Sequence, residues 1–237
     1  MCASTVSSSM LAEIAKVEGF HFEDTLTGFK WIGAKASALN KEQGYRTIFC
    51  YEEAIGFCCG EIVHDKDGVS AMGVFAELAY NVYREGSSVT QHMQRLYDKY
   101  GEFVCNNGYF FYQGTTVVST VLEGIRRGGS YMSTVGTYVV ESIRDLGEPG
   151  YDSTTADKKP TLPTSNSSPM ITLRFTNGCV AQFRASGTEP KFKYYIEMRG
   201  NPGTSRANVT TELMAMSDVI LEELLQPSKN GLSRSEC

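Results

Sequence analysis

The chain has 237 residues, which at roughly 150 residues per domain corresponds to one or two globular domains, and we expect two. Its 41% hydrophobic, 11% aromatic and 21% charged residues are typical of a domain with a sizeable core, which excludes a largely disordered chain. The net charge of -5 and the lack of a basic stripe argue against a nucleic-acid partner, because nucleic-acid binding depends on clustered positive charge.

The seven cysteines are odd in number and scattered, and they form no C-x-x-C pair, so neither a disulfide framework nor a zinc site is indicated. Reduced thiols in the cytoplasm are the simplest interpretation. The three histidines lie too far apart in the sequence to indicate a metal site. No stretch approaches the roughly 18 apolar residues that span a bilayer, and the N-terminus has no basic segment typical of a secretion signal. We therefore expect a protein that is neither secreted nor embedded in a membrane.

The first hundred residues alternate between strand and helix patterns, which is typical of an α/β layer. Short strands are predicted at 2–6, 21–24 and 46–51, and helices at 8–19, 28–40, 68–84 and 89–100. The segment 52–66 is predicted to be irregular. In the helix over 68–84, one apolar face is predicted from the spacing of Ala71, Phe75, Leu78 and Val82. Because the first strand has no polar leader, we interpret the chain as part of a longer protein.

The sequence changes character after Gly101, so we divide the chain into domains at 1–101 and 102–237. Strands are predicted at 103–112 and 138–144, a helix at 117–127, and a long loop at 148–168. The clearest signal is a hairpin over 171–184, in which Asn177 and Gly178 are expected to supply two turn residues with positive φ. A third strand alternates over 191–199, and a closing helix is predicted from Val209, Leu213, Met216, Ile220 and Leu224. The expected fold is a partial α/β domain followed by an α+β domain with a small antiparallel sheet and packing helices.

The loop between the last two predicted strands, residues 185–190, is flanked by positive charge. The sequence R-A-S-G-T-E-P-K at 184–191 begins with a guanidinium and ends with an ammonium. Arg184 can donate two parallel hydrogen bonds to a phosphate, and Lys191 adds a point charge. Ser186 and Thr188 can donate hydroxyl hydrogen bonds, and Gly187 would let backbone N–H groups turn inward as an anion nest. These residues are also common in solvent-facing turns, so an ordinary surface loop is the alternative.

Two carboxylates, Glu52 and Glu53, follow the predicted strand at 46–51, at the end where open α/β sheets bind ligands. They could accept hydrogen bonds from adjacent sugar hydroxyls. Since neighbouring strand residues point to opposite faces, we expect one of the two to face solvent. A plain acidic loop is the alternative.

The stretch 28–33 places Lys30 between two aromatic residues, one of them the chain's single tryptophan, Trp31. Such a loop could line a sugar cleft, and the alternative is that Phe29 and Trp31 anchor the following helix in the core. The segment 65–68 is most simply a turn in which Asp67 caps a helix.

Taken together, these motifs resemble the α-D-phosphohexomutases, specifically the phosphoglucomutase-2 branch, which includes phosphopentomutase and glucose 1,6-bisphosphate synthase. The resemblance covers nearly the whole chain. It is carried by T-L-T-G-F-K-W-I-G at 25–33, E-E-A-I-G at 52–56, D-K-D-G-V-S-A at 65–71, G-Y-D at 150–152, D-K-K at 157–159, L-P-T-S at 162–165 and R-A-S-G-T-E-P-K-F-K-Y-Y at 184–195.

The resemblance implies an intramolecular phosphotransferase, an isomerase of carbohydrate metabolism, with four domains, of which this chain would supply most of the third and all of the fourth. It implies a phosphate loop at Arg184, Ser186, Gly187 and Thr188, to which we add Lys191 for its charge. It implies sugar contacts at Gly28, Lys30, Glu52 and Glu53, and a lysine near the reacting phosphate at Lys66. The family uses Mg²⁺ and glucose 1,6-bisphosphate.

The family's phosphoserine loop of T-A-S-H-N type and its magnesium loop of D-x-D-x-D-R type do not occur in this sequence. We therefore assign no metal ligand here and expect the chain alone to bind substrate without turning it over. Ala54 stands where many relatives carry a serine that touches the sugar. The alternatives are a non-catalytic sugar-phosphate-binding or regulatory module and part of a glucose 1,6-bisphosphate synthase. The sequence does not separate pentose from hexose phosphates or indicate an oligomeric state.

Overall fold

The computed structural model describes residues 1–187 and 189–234, which form two compact units. The first unit comprises Met1–Phe103 with Asn201–Gly203, and the second comprises Val104–Gly200 with the described residues from Thr204 onward. Each unit contains its own cluster of buried apolar side chains.

The first unit has a four-stranded sheet with helices between its strands. Its strands are β1 (Cys2–Ser4), β2 (Glu23–Thr25), β3 (Phe49–Glu52) and β4 (Gly56–Cys59), and its helices are α1 (Met10–Glu18), α2 (Phe29–Glu42), α3 (Gly68–Arg84) and α4 (Val89–Tyr100). The strand order is β2-β1-β3-β4, with β1 parallel to β2 and β3, and with β4 antiparallel to β3. The predicted α/β layer is confirmed.

Helices α3 and α4 match the predicted helices, and each begins at a capping residue. The Asp67 carboxylate accepts hydrogen bonds from the first backbone N–H groups of α3. Ser88 and Gln91 form a capping box at the start of α4. Helix α1 ends at Gly19, which has the left-handed conformation (φ 76°). Local capping chemistry therefore sets these boundaries.

Helix α2 supplies most of the core of the first unit. Phe29, Ile32, Ala36 and Leu39 recur at helical spacing and are buried. They pack with the side chains of Cys2, Cys50 and Cys58, which are register partners across β1, β3 and β4. Helices α1 and α4 are also joined, because the Glu18 carboxylate accepts hydrogen bonds from Lys99 Nζ (2.5 Å) and from the Tyr100 hydroxyl (2.7 Å).

The segment predicted to be irregular contains a strand. Strand β4 pairs with β3 from Phe49 opposite Cys59 to Glu52 opposite Gly56. The turn between them has Ile55 at a positive φ of 62°, which a β-branched residue rarely adopts. The prediction failed because the turn has none of the Asn or Gly residues that usually mark a hairpin.

The apolar face predicted on α3 is largely exposed. Phe75 and Leu78 are 56% and 40% exposed, and Val82 is the one buried residue of this helix. A cavity of about 550 Å³ lies between α3 and the β3–β4 hairpin, lined mainly by apolar side chains. The helix and its apolar face were therefore predicted correctly, and that face is exposed at Phe75 and Leu78.

The second unit is built on an eight-stranded sheet. Its strands are β5 (Glu102–Phe111), β6 (Thr134–Val135), β7 (Tyr138–Asp145), β8 (Tyr151–Asp152), β9 (Met170–Phe175), β10 (Cys179–Ala185), β11 (Lys191–Gly200) and β12 (Ser233–Arg234), and its helices are α5 (Val117–Arg126), α6 (Arg206–Ile220) and α7 (Pro227–Asn230). The order is β12-β5-β11-β10-β9-β7-β6, with β8 on β7. A π-helical turn at Leu221–Leu225 follows α6. This unit is the sheet-rich domain expected after the α/β layer.

The hairpin of β9 and β10 is confirmed, with a different turn. Three residues lie between Phe175 and Cys179, and of Asn177 and Gly178 only Gly178 has a positive φ (86°). The Gly178 N–H donates to the Phe175 carbonyl (3.1 Å), as in a three-residue hairpin loop closed by a left-handed glycine. The Asn177 side-chain oxygen instead accepts a hydrogen bond from the Cys179 N–H (3.2 Å). Asn177 therefore stabilises the turn through its side-chain amide and not through a positive φ.

The closing helix packs on the sheet as predicted. Val209, Leu213, Met216 and Ile220 of α6 are buried. Strand β11 alternates as expected, with its inward side chains Phe192, Tyr194, Ile196 and Met198 buried. These residues belong to one continuous core with the inward side chains of β9 and β10.

Candidate functional site

Three cationic side chains share one face of the β10–β11 hairpin in the second unit. Arg184 and Lys193 are cross-strand partners, and Lys191 lies two residues before Lys193. Because side chains two apart in a strand point to the same face, all three project together near the loop at 186–190. Ser186 follows on the Arg184 side, where its N–H donates to the Lys191 carbonyl (2.8 Å) and continues the ladder. The strand pairing thus gathers positive charge at the loop.

The Lys191 ammonium is held in place by an acid and two aromatic rings. Its Nζ lies 2.8 Å from Glu189 Oε1, 4.6 Å from the ring centre of Tyr109 and 5.4 Å from that of Phe111. The hydrogen bond to Glu189 raises the pKa of Lys191. The same bond, together with the charges of Lys191 and Lys193, lowers the pKa of Glu189. The ammonium is therefore a fixed positive charge beside the loop.

The middle of this loop is open. Gly187 is exposed, and a Cβ atom added to it would meet no described atom within 4 Å. Its φ is outside the left-handed range, so it is not itself the left-handed residue of an anion nest. Thr188 lies outside the described residues. The nest therefore stays a prediction.

Three motifs that are separate in the sequence meet in the first unit. A Cβ atom on Gly56 would lie 2.9 Å from the Lys66 side chain and 3.2 Å from the Phe29 ring. The Lys66 Nζ lies 5.1 Å from the centre of that ring and 3.4 Å from the Asp65 carboxylate. The stretches 28–33, 52–56 and 65–67 thus form one surface, in which Gly56 allows the close approach.

Glu53 is tied to the loop after β1. Its N–H donates to Ser7 Oγ (3.0 Å), and its carboxylate accepts from Ser4 Oγ (3.2 Å). Glu52 ends β3, and both glutamates are half-buried, so the expectation that one faces solvent is wrong. The reason is that Glu53 lies past the end of the strand, where it folds back onto two buried serines.

The stretch 28–33 at the start of α2 combines exposed residues with residues that pack in the core. Gly28 has a φ of 102°, a backbone conformation that favours glycine, and Lys30 is exposed with its Nζ 5.8 Å from the Trp31 ring centre. Phe29 is buried and Trp31 is 39% exposed, so Phe29 is the core anchor of the pair. Gly33 has a packing role, because a Cβ atom there would lie 2.0 Å from the His64 carbonyl oxygen.

The motifs of the long loop pack on one another. Gly150 has a φ of 86°, and a Cβ atom there would lie 2.6 Å from Thr164 and 3.0 Å from Pro160. The Asp152 carboxylate accepts from the Thr154 N–H (2.9 Å), and the Asp152 N–H donates to the Lys158 carbonyl (2.9 Å). The G-Y-D, D-K-K and L-P-T-S stretches are therefore held together as a folded loop.

Sequence reasoning missed three residues of the cationic site: Lys193, Tyr109 and Phe111. Lys193 could have been found, because the alternation of β11 places it on the Lys191 face. The two rings belong to β5, and nothing in the sequence indicates which strand lies beside β11.

Among residues 1–187 and 189–234, no three His, Cys, Asp or Glu side chains are placed to hold a metal ion. The described helices include none that is long and apolar enough to cross a membrane.

Comparison with known families identifies the first unit. Residues 1–100 match the model of the phosphoglucomutase/phosphomannomutase α/β/α domain III. The first unit therefore matches this domain III over nearly its whole length. The resemblance carried by the motifs is thereby confirmed, and the second unit is the sheet-rich domain that accompanies domain III here.

Curated relatives match nearly the whole chain. Human glucose 1,6-bisphosphate synthase is 45% identical over 236 residues, human phosphopentomutase is 44% identical over 236 residues, and each comparison covers 98% of this chain and 38% of the relative. The phosphoribomutase of Saccharomyces cerevisiae is 43% identical over 216 residues, which is 85% of this chain and 34% of that protein. The chain therefore spans about 38% of the length of the first of these relatives.

A solved structure shares the fold. The open form of pp63/parafusin, a phosphoglucomutase from Paramecium, matches with a TM-score of 0.70 and 17% identity, over 99% of this chain and 38% of that one.

Proposed function

We propose that the chain binds sugar phosphates as part of a sugar-phosphate mutase. In the proposed reaction a phosphoryl group moves between C1 and C6 of glucose, or between C1 and C5 of ribose or deoxyribose, through a bisphosphate intermediate. The observation that carries the proposal is the clustering of Arg184, Lys191 and Lys193 on one face beside an open loop. The mutases and the synthase among the relatives support it.

Each residue of the cationic site is suited to binding the non-reacting phosphate of the substrate. The Arg184 guanidinium donates paired hydrogen bonds, and the Lys191 ammonium neutralises charge. Ser186 and Thr188 donate their hydroxyl groups, and Gly187 contributes its backbone N–H. Such a clamp suits phosphoryl transfer, because catalysis of that reaction depends mainly on positioning and on charge stabilisation.

The surface of the first unit supplies the sugar contacts in this proposal. Glu52 and Glu53 accept hydrogen bonds from ring hydroxyls, and Gly28 and Lys30 contact the other end of the sugar. Lys66 approaches the reacting phosphate. The half-buried glutamates and the exposed Lys30 and Lys66 side chains support these roles.

The family's magnesium has no ligand group among the described residues, so no step of the proposal runs through it. Glucose 1,6-bisphosphate enters as the intermediate that the site would bind. We propose that the chain alone binds without turnover, and that residues 1–101 and 102–237 are domains three and four of the family. A location in the cytoplasm fits the described cysteines, which are all unpaired. Identities of 45% and 44% do not separate synthase from mutase, and the proposal covers both.

Calorimetric titration with glucose 1-phosphate, ribose 1-phosphate and glucose 1,6-bisphosphate tests the proposal, with glucose as the uncharged control. Arg184→Ala should weaken binding about 10- to 100-fold, because hydrogen bonds to charged groups contribute roughly 1.5–3 kcal/mol. Arg46→Ala is the matched control, since it removes the same charge from an exposed ion pair with Glu61 in the first unit. Equal affinities for Arg184→Ala and wild type would refute the proposal.

A further inference from the structure

We propose that Glu189 is an internal competitor for the phosphate site: it neutralises Lys191 when no ligand is bound and must leave before a phosphate binds. The inference rests on the proposed function and identifies a residue that sets the affinity of the same site. Nothing in the roles given above requires an acid at position 189, yet this acid directly contacts a binding cation.

The contact is local and reversible. Glu189 and Lys191 lie in the same turn, where the Lys191 N–H also donates to the Glu189 carbonyl (2.7 Å). The Glu189 side chain is 50% exposed and that of Lys191 is 19% exposed. The carboxylate can therefore swing into solvent by side-chain rotation alone, and the backbone of the loop need not move.

The ammonium stays in place when the carboxylate leaves. Its contacts with the Tyr109 and Phe111 rings do not involve Glu189, so they can hold it after the carboxylate has left. The two rings form an edge-to-face pair, with centres 5.3 Å apart. Lys191 is thus a fixed cation with an exchangeable partner.

Charge explains why the two anions exclude each other. The Glu189 carboxylate lies beside Lys191 and within the electrostatic influence of Lys193, on the face that also carries Arg184. A phosphate bound to Lys191 and Arg184 would lie within a few ångströms of this carboxylate. Like charges at that distance repel, so the bound phosphate and the Glu189–Lys191 ion pair do not coexist.

The exchange has a consequence for the proposed reaction. A bisphosphate intermediate must reorient, and the loop must therefore release one phosphate before it binds the other. As the phosphate leaves, Glu189 replaces it on Lys191, so the ammonium is not left without a counter-ion. Glu189 thereby weakens binding and eases release.

The test compares anion affinity in variants that differ by one carboxylate. Glu189→Gln and Glu189→Ala are titrated with glucose 1-phosphate and with inorganic phosphate, beside wild type. Glu197→Gln is the matched control, because its removal changes the net charge equally. Glu197 lies on β11, six residues beyond Lys191, and its carboxylate contacts the Cys105 thiol (3.4 Å). Circular dichroism and amide spectra verify that each variant is folded.

Both Glu189 variants should bind glucose 1-phosphate about two- to fivefold more tightly than wild type, the range expected for loss of one exposed ion pair, and Glu197→Gln should match wild type. Equal or weaker binding by the Glu189 variants, with saturable binding by wild type, would overturn the inference and leave the proposed function standing. If none of the four proteins binds saturably, both the inference and the proposed function fail.

Discussion

A buried ion pair in the second unit allows a quantitative prediction of stability. The Asp145 side chain at the end of β7 is 3% exposed. Its carboxylate accepts hydrogen bonds from Arg126 Nε (2.6 Å), Arg126 Nη2 (3.1 Å), the Tyr131 hydroxyl (3.0 Å) and the Gly147 N–H (2.8 Å). This network joins α5 to the beginning of the long loop. The negative charge of Asp145 raises the pKa of both Arg126 and Tyr131, although burial is the largest cause for Tyr131.

Arg126→Met would remove the cation and leave the carboxylate buried. Loss of one partner of a buried pair costs about 3–5 kcal/mol. Two of the four hydrogen bonds to Asp145 would remain, and the Arg126 side chain is itself 20% exposed, so we expect the lower end, about 3 kcal/mol. Glu123→Gln is the matched control: Glu123 also pairs with Arg126 (2.8 Å), but its side chain is 59% exposed, and its loss should cost about 0.5 kcal/mol.

Hydrogen exchange at the amides of β9 and β10 is the appropriate assay. The single tryptophan, Trp31, lies in the first unit, so its fluorescence does not report on the second. Exchange of core amides gives the free energy of opening of the unit that contains the mutation. A loss below about 1 kcal/mol in Arg126→Met, or equal losses in Arg126→Met and Glu123→Gln, would refute the reasoning that burial makes this pair strong.

Three further predictions concern the first unit. Gly33→Ala should destabilise this unit by about 1–3 kcal/mol, because the added methyl group would clash with the His64 carbonyl. Gly73→Ala, where the space is open, should stabilise α3 by about 0.5–1 kcal/mol. Urea unfolding followed by Trp31 fluorescence compares the two variants. In the same assay, Val82→Ala should lower the free energy of unfolding by about 1.5 kcal/mol, and Phe75→Ala should lower it by less than about 0.5 kcal/mol, because only Val82 is buried. The reverse order would mean that the face with Phe75 is buried. The hydrogen bonds from Lys99 and Tyr100 of α4 lower the pKa of Glu18. The contribution of Glu18 to stability should therefore be present above about pH 4.3 and vanish as the pH falls through the lowered pKa. A stability difference between wild type and Glu18→Gln that persists at acid pH would contradict this.

The sequence predicted features whose cause is local. Helix α3 was placed within a residue because Asp67, directly before its start, is a capping residue. Helix α4 was also placed within a residue, and the structure shows that Ser88 caps it locally. The loop with Arg184 and Lys191 was found because strict alternation located the strands on both sides of it.

Features that depend on distant neighbours were missed. Phe75 has the spacing of a core residue, and whether it is buried depends on what covers α3 and not on the helix itself. The approach of Tyr109 to Lys191 depends on the order of strands in the sheet, which no single-strand pattern encodes. The ion pair between Glu189 and Lys191 is local, but it depends on the conformation of the turn, which the sequence pattern does not define.

The claim that the cationic face of the β10–β11 hairpin holds the phosphate of a sugar phosphate is tested most directly by amide chemical-shift mapping. The labelled chain is titrated with glucose 1-phosphate and, in parallel, with glucose. The account predicts that Arg184, Ser186, Gly187 and Lys191 show the largest shifts, that these saturate with one common dissociation constant, and that glucose does not cause them. Saturable shifts elsewhere with none at these residues, or equal shifts with glucose, would contradict it.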